Sequence, residues 1–440
     1  MKYDVVVIGA GTAGCAAAYT TAKQGLKTLL IEKNSYSGGS ITGALVTPAM
    51  KSSENQINTE FFDKFCKNLK SMGGQVSYID NNNGWINPEL AKIVFEDLLQ
   101  EAGVEIYYNT CVTKIEVKNK HIESIEISSS DITNIDILSE PIETAQCRNT
   151  NGNDISVHIE PIYVIDTTGN QSICKALNCQ QIDDSNKTQP VSLRFITAGV
   201  DLETFAKFML ELDNDREATT AAIIESQWHM STACTWDKEW ALSPIFRDAL
   251  ENNDLKSSDC AYFQVFTIPG MPTSLAFNCP RYDQNISIQD IQARSKALIS
   301  LRKSILRILN FCKKYLPGFK NVYISSIAPE LGVRVSSRAL GEYLYTIEDL
   351  KTGKTFNNPV LVSNYPIDVH SDKKEGAILE KLYQEYQLPV EALHSIDYDN
   401  LYFAGRSISA DFYAQAALRI IPSCFSMGEG LGKYLANLEH

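Results

Sequence analysis

DVVVIGAGTAGCAAAYTTAKQGLKTLLIEK, residues 4–33, holds in register the parts of a dinucleotide-binding βαβ unit. A buried parallel strand over Val5 to Ile8 runs into Gly9, Gly11 and Gly14; an alanine-rich helix follows, and a second strand over Thr28 to Ile31 ends on Glu32. The three glycines have separate tasks: the tight turn, close approach of backbone to a pyrophosphate, and close helix–strand packing. The pyrophosphate then rests on the helix N-terminus, where unpaired N–H groups and the helix dipole favour an anion. Glu32 is placed to accept hydrogen bonds from an adenosine ribose, and its charge argues against a 2′-phosphate and hence NADP. Glycines alone also fit a turn in some other α/β protein. The strand, helix and acidic strand end around them favour the nucleotide reading.

With 440 residues and 44% hydrophobic content, the chain can bury a sizeable core and is long enough for two or three domains. Its 40 basic and 53 acidic residues give a net charge of −13, which disfavours nucleic acid and anionic membranes as partners. No run of about eighteen apolar residues marks a membrane span. The apolar N-terminus imitates a signal peptide, but the βαβ register explains it better, and the expected compartment is the cytoplasm. The 11 cysteines contain no CxxC and the 6 histidines no HxxxH or HExxH, so buried thiols and no catalytic metal are expected.

Beyond Glu32, the loop NSYSGGSITGALVTP suits backbone wrapped closely around a ligand. Residues 56–72 read as an amphipathic helix with Phe61, Phe62, Phe65 and Leu69 on one face, and Pro88 to Ala102 as a second helix. GVEIYYNTCVTKIEV reads as two strands, and the polar segment 128–160 as a hairpin insertion with strand-like pieces near Ile135 and Val157. YVIDTTG (163–169) and YDNLYFAG (398–405) are further buried strands, and a final helix starts at Pro422. Between about 190 and 330, strands at 191–197, 262–268 and 274–278 mix with a helix over 288–315, a pattern of a second, mixed domain.

Taken together, VVVIGAGTAG, GGSITGALV, WINPELAKIVFEDLLQEAGVEIYYNT, IDTTGN, QPVSLRFITAGVD, NCPR, YLPGFKN, GVRVSSRALGEY, YPIDVH, NLYFAGRSISAD and RIIPSCFSMGEG resemble, in order, the FAD-dependent oxidoreductase family, within the wider glutathione-reductase-like flavoproteins. The resemblance implies an α/β chain: a Rossmann-type FAD/NAD(P)-binding domain with an inserted mixed α+β substrate domain. The expected division is 1–189 for the first part of the FAD domain, 190–330 for the substrate domain and 331–440 for the return. It implies that Gly9, Gly11, Thr12, Ala13 and Gly14 hold the FAD pyrophosphate, and that Glu32, with Lys33 beside it, meets the adenosine ribose. Gly38, Gly39, Ser40, Thr42 and Gly43 would run beside the ribityl chain and flavin. Val112 would touch adenine, with Thr168 and Gly169 completing that side. Gly405 and Arg406 would approach the pyrophosphate and ribityl, and Arg419, Ile421, Pro422 and Ser423 the isoalloxazine. The chain departs from the pattern in two places. Phe412 and Tyr413 stand where many members resemble a His-Glu pair, and Ser336, Ser337 and Arg338 where Thr-Arg-Arg is common.

An N-terminal nucleotide fold alone is ambiguous between NAD and FAD. The double glycine, the IDTTG turn and the AGR strand suit an extended FAD, and the second GxGxxG and redox Cys pair of pyridine-nucleotide disulfide reductases are missing. Gly428, Gly430 and Gly432 lie inside a helix, where helix packing explains them. Pro422 suits the first position of the last helix. Its N-terminus would then face the flavin and favour negative charge there. On the substrate side, Arg334 and Arg338 are four apart and on a helix would share a face, clamping a carboxylate or phosphate; surface charge or internal ion pairing is the competing reading. Arg194, Arg281, Tyr413 and His370 are further candidates, His370 as a proton donor or as a structural partner of Asp368. The resemblance implies hydride or electron-pair transfer between flavin and a small-molecule substrate, which the arginine candidates would make anionic, with an electron donor or acceptor that no motif identifies. Oxygen-using oxidase or monooxygenase chemistry, and a flavin-bearing electron-transfer or binding subunit, are the rival readings.

Overall fold

The computed structural model describes residues 1–50, 53–76, 84–129, 156–183, 187–213, 218–234, 240–370 and 377–438. In its seven-stranded sheet, β1 (Lys2–Ile8) is flanked in parallel by β2 (Thr28–Ile31) and by Val157–Asp166. Glu105–Tyr107 extends the sheet beyond β2, and Leu401–Phe403 pairs in parallel with the far half of Val157–Asp166. The near half of that long strand runs antiparallel to His121–Ser129, which in turn pairs with Thr110–Lys118. One strand thus serves both a parallel and an antiparallel region.

The continuous apolar run of β1 follows from burial on both faces. Val5 and Val7 join the core of α1 (Thr12–Lys23), Glu60–Ser71, Pro88–Glu101 and the C-terminal helix Ile421–Ala436. Val6 and Ile8 point the other way, toward Ile122, Ile125, Ile127 and Ile173. The helix expected over 56–72 runs from Glu60 to Ser71, with the four expected side chains buried. Phe425 of the last helix stacks among Phe61, Phe62 and Phe65, with ring centroids 5.2–5.6 Å away. Asn87 caps Pro88–Glu101 by accepting from the N–H groups of Glu89 and Leu90.

A second, six-stranded antiparallel sheet has the order Thr219–Ile224, Gln227–Cys234, Phe263–Ile268, Met271–Phe277, Phe195–Ala198, Tyr323–Ile327. Leu301, Ile305, Ile308 and Phe311 of helix Ile291–Tyr315 pack into its core. The strand expected from Val191 starts only at Phe195, because Ser192 makes isolated bridges to Gly332 and Arg281. Of the polar segment 128–160, the piece near Ile135 lies outside the described residues, and the piece at Val157 is the start of the long strand. The last helix begins at Ile421, which places Pro422 second rather than first. No helix among the described residues is long and apolar enough to cross a membrane.

The glycines of the last helix are packing residues. A Cβ at Gly428 would collide with the Ala13 carbonyl of α1 and stand 3.0 Å from Ala17 N; one at Gly432 would stand 3.1 Å from Ala17 O. Gly428→Ala should therefore push the two helices apart and cost about 1–3 kcal/mol, read as a lowered denaturant midpoint. An unchanged midpoint would show that the helix pair adjusts without strain.

Candidate functional site

A cavity of about 870 Å³ opens where β1, Val157–Asp166 and Leu401–Phe403 end, the carboxyl edge at which open α/β sheets take their ligands. Gly9 there has φ +104°, and a Cβ on it would lie 2.7 Å from the Thr167 backbone. A Cβ on Gly11 would meet only Thr167 O, at 3.8 Å, so the space above Gly11 belongs to the cavity. Gly11 is also the N-cap of α1 and supplies no side-chain acceptor. The first N–H groups of α1 therefore have no side-chain cap, and Thr12 and Ala13 line the cavity. Gly14 does not line it: a Cβ there would stand 2.5 Å from Thr167 Oγ1, so its part is the close packing expected of the third glycine.

Glu32 reaches the cavity from the end of β2. Its Oε2 accepts from Ala10 N at 2.7 Å and its Oε1 from Asn34 N at 2.9 Å. Burial pushes its pKa up, against those two N–H groups. Each oxygen keeps a lone pair for a ligand hydroxyl. Lys33, Gly39, Ser40, Val112, Thr168, Gly169, Gly405, Arg406, Arg419 and Ile421 also line the cavity, whereas Gly38, Thr42, Gly43, Pro422 and Ser423 stand behind the wall. The Thr42 hydroxyl, for example, donates to Ser37 O at 2.6 Å and shapes the loop.

Two buried residues unremarked in the sequence hold this wall in place. Asp166 accepts from Thr168 N and Oγ1 and from the N–H groups of Ile173 and Cys174, fixing the turn after the long strand. Gln415 donates through Nε2 to the carbonyls of Arg334 and Arg406, both at 3.0 Å, tying two cavity segments together. Arg406 itself donates to Gly169 O, Val333 O and Asn170 Oδ1. Glu330, also unanticipated, lines the cavity and accepts from Asn34 Nδ2 at 2.7 Å and Tyr36 OH at 3.1 Å.

At the other end, the second sheet contributes Gln264 and Phe266 and the residues flanking its strands contribute Ser192, Arg194, Tyr262 and Asn278, faced by Arg334, Tyr365, Asp368, His370 and Arg419. Arg419 donates to Asp368 O at 2.9 Å and pairs with Asp368 Oδ2 at 3.3 Å. Arg281 lies behind, with its guanidinium carbon 3.8 Å from the centre of the Tyr262 ring and its Nη2 2.6 Å from His370 Nδ1. A guanidinium only donates, so Nδ1 accepts and the His370 proton sits on Nε2, 3.3 Å from Asp368 Oδ1. Burial, reinforced by Arg334 and Arg281, pushes the His370 pKa well down and keeps the ring neutral. Both ring nitrogens are engaged within the protein, the structural alternative considered for this residue. Burial also pushes Asp368 up, but the His370 hydrogen bond and the charges of Arg419 and Arg334 outweigh it and hold the carboxyl well below its usual range.

The shared helical face expected for Arg334 and Arg338 is absent. Residues 331–340 are irregular, with bridges from Gly332 to Ser192 and from Ala339 to Gln181. Arg334 lines the cavity, while Arg338 turns away and donates to Ala410 O at 2.8 Å. Tyr413 also lies outside the cavity, 40% exposed, with the Lys187 amine 5.1 Å from its ring centre. Of the substrate-side candidates, Arg338 and Tyr413 are thus not brought to the cavity.

A family model described as FAD dependent oxidoreductase matches residues 4–438. Among curated proteins, the digeranylgeranylglycerophospholipid reductase of Methanococcus vannielii is 42% identical over 66 residues, 15% of this chain and 17% of the relative. The 3-oxosteroid 1-dehydrogenase of Mycolicibacterium smegmatis is 56% identical over 39 residues, 9% of this chain and 7% of the relative. The matches thus span less than a fifth of either relative's length. Among solved structures, a geranylgeranyl bacteriochlorophyll reductase-like protein from Thermoplasma acidophilum aligns with 99% of this chain and 78% of its own, at 14% identity and a TM-score of 0.46.

The Asp368 ion pair generates a stability test. Asp368→Ala leaves the partly buried Arg419 without its carboxylate and should cost about 1–3 kcal/mol in urea unfolding near neutral pH. Because the folded pKa of Asp368 is depressed, its contribution is fully present above the unfolded value of about 3.9 and is lost as pH falls through the folded value. The stability gap between wild type and Asp368→Asn should accordingly shrink on acidification below about pH 4. A gap that widens there would contradict the assignment.

Proposed function

The chain belongs to the FAD-dependent oxidoreductase family, and from that premise we propose an enzyme that moves a hydride or electron pair between flavin and a small organic anion. One observation carries the proposal: a single cavity runs from the side-chain-uncapped start of α1 to a group of buried arginines. Its volume lies toward the upper end of the roughly 300–1,000 Å³ range of small-molecule and cofactor sites. The open space over Gly11 and the N–H groups of Thr12 and Ala13 fit a pyrophosphate, and Glu32 fits a ribose diol. Val112, Thr168 and Gly169 would border the adenine side, Gly39, Ser40, Gly405 and Arg406 the ribityl, and Arg419 and Ile421 the ring.

Bound FAD supplies the redox chemistry, and the protein supplies position, charge and exclusion of water. Arg334 and Arg194 orient an anionic substrate, and the neutral His370 and ionised Asp368 hold Arg281 and Arg419 in place around it. We read residues 1–189 and 331–440 as the FAD domain and 190–330 as the substrate domain. The cytoplasm is the proposed compartment, on the scattered cysteines without CxxC spacing.

Purified protein should carry one FAD per chain, identified after heat release. Gly11→Val should abolish its retention, because a branched side chain occupies the space over the turn; a folded Gly11→Val protein with normal flavin content would overturn the pyrophosphate path. Glu32→Gln should weaken FAD binding about ten- to a hundredfold, through loss of a charge-assisted hydrogen bond worth roughly 1.5–3 kcal/mol. Glu32→Ala should weaken it further, since Ala10 N and Asn34 N then lose their acceptor. An unchanged dissociation constant in Glu32→Gln would place the ribose elsewhere.

A further inference from the structure

The substrate end holds more positive charge than its own carboxylate balances. Arg194, Arg281, Arg334 and Arg419 gather there, and Asp368 is ion-paired to Arg419. Arg194 and Arg334 are only 8% and 7% exposed, line the cavity, and have no carboxylate at ion-pair distance among the described residues. Their hydrogen bonds go to neutral acceptors: Arg334 Nη1 donates to Pro190 O at 2.7 Å and Ser192 Oγ at 3.4 Å, and Arg194 Nη1 to Leu45 O at 3.5 Å. Arg194 Nε has no partner among the described residues. Burial lowers the pKa of Arg194 to about 10 and that of Arg334 well below its ordinary value, and the neighbouring guanidinia add to both shifts.

A buried guanidinium without a counter-charge is strongly unfavourable, and each planar fork matches one carboxylate in bidentate geometry. The two forks come from paired segments, one just before Phe195–Ala198 and one in the irregular stretch 331–340: Gly332 bridges Ser192, Arg334 is held by Pro190 O and Ser192 Oγ and Arg194 by Leu45 O, so two uncompensated guanidinia are presented side by side to the cavity. We infer that this end of the cavity binds an organic dicarboxylate, one carboxylate on Arg194 and the other on Arg334. The inference rests on the reading of this cavity as the flavin–substrate site and adds the class of substrate. The net charge of −13 repels such a ligand at long range, so recognition must come from contacts made inside the cavity, where screening is weak.

The test compares succinate, butyrate and propyl phosphate on the FAD-loaded protein, with calorimetry reading binding and the flavin absorbance spectrum reading location. Succinate should bind at least about tenfold more tightly than butyrate, as expected for one additional charge-assisted contact, and more tightly than propyl phosphate. Arg334→Lys and Arg194→Lys should each weaken succinate about tenfold while flavin content stays at the wild-type level, because an ammonium cannot reproduce the fork. Equal affinity for succinate and butyrate, preference for propyl phosphate, or no heat of binding from any of the three overturns the dicarboxylate assignment, and the wild-type comparison decides this even if a variant fails to fold. Tight succinate binding that leaves the flavin spectrum unperturbed would uphold the dicarboxylate site and overturn its placement beside the flavin.

Discussion

Thr167 donates through its hydroxyl to the carbonyls of Ile8 and Gly9, at 3.0 and 2.6 Å, and through its N–H to Ile8 O. These bonds clasp the end of β1 to the end of the neighbouring parallel strand. The clasp works only because Gly9 and Gly14 present no side chain toward Thr167. With the turn pulled in, α1 starts directly over the sheet edge and its first N–H groups open into the cavity. Gly428 and Gly432 extend the same close packing to the C-terminal helix, which brings Ile421 and Arg419 to that edge.

The parts of this arrangement that are local in sequence were legible there. Strand, turn and helix over residues 4–33 each declare themselves within a few residues, and the helical face of Phe61, Phe62, Phe65 and Leu69 follows from periodicity alone. The arginine cluster was only partly legible. Spacing of four put Arg334 and Arg338 on a common helical face, but an interval carries that meaning only inside a helix. Bridges from Gly332 and Ala339 to distant segments keep this stretch irregular, so one side chain enters the cavity and the other turns to the Ala410 carbonyl. The pair Asp368–Arg419 joins residues 51 apart, and Arg281–His370 joins residues 89 apart. No local pattern encodes either. Asp166 and Gln415 were missed for the same reason, since a buried side chain that satisfies distant backbone groups looks like any other polar residue until the segments meet.

The two ends of the cavity obey different electrostatics. At the end proposed for the nucleotide, favourable potential for an anion comes from oriented backbone dipoles, while the Glu32 and Glu330 carboxylates are held by Ala10 N, Asn34 and Tyr36. At the substrate end it comes from whole charges on arginines, taken out of water and held by carbonyl groups, the Tyr262 ring and a neutral imidazole. Whole charges discriminate more sharply against neutral molecules, because an uncharged visitor leaves the guanidinia uncompensated.

The long strand Val157–Asp166 has an unequal partner in Leu401–Phe403, three residues that join the sheet from the far end of the chain. Gly405, Arg406, Arg419 and Ile421 follow that short strand and complete the cavity wall. During synthesis, β1, α1 and β2 are made hundreds of residues before Leu401–Phe403, so the enclosure they begin is closed only by that much later segment. A nascent chain that lacks Leu401–Ile421 therefore exposes only half of the cavity wall, and on the proposed FAD site cofactor capture waits until that segment has joined the sheet.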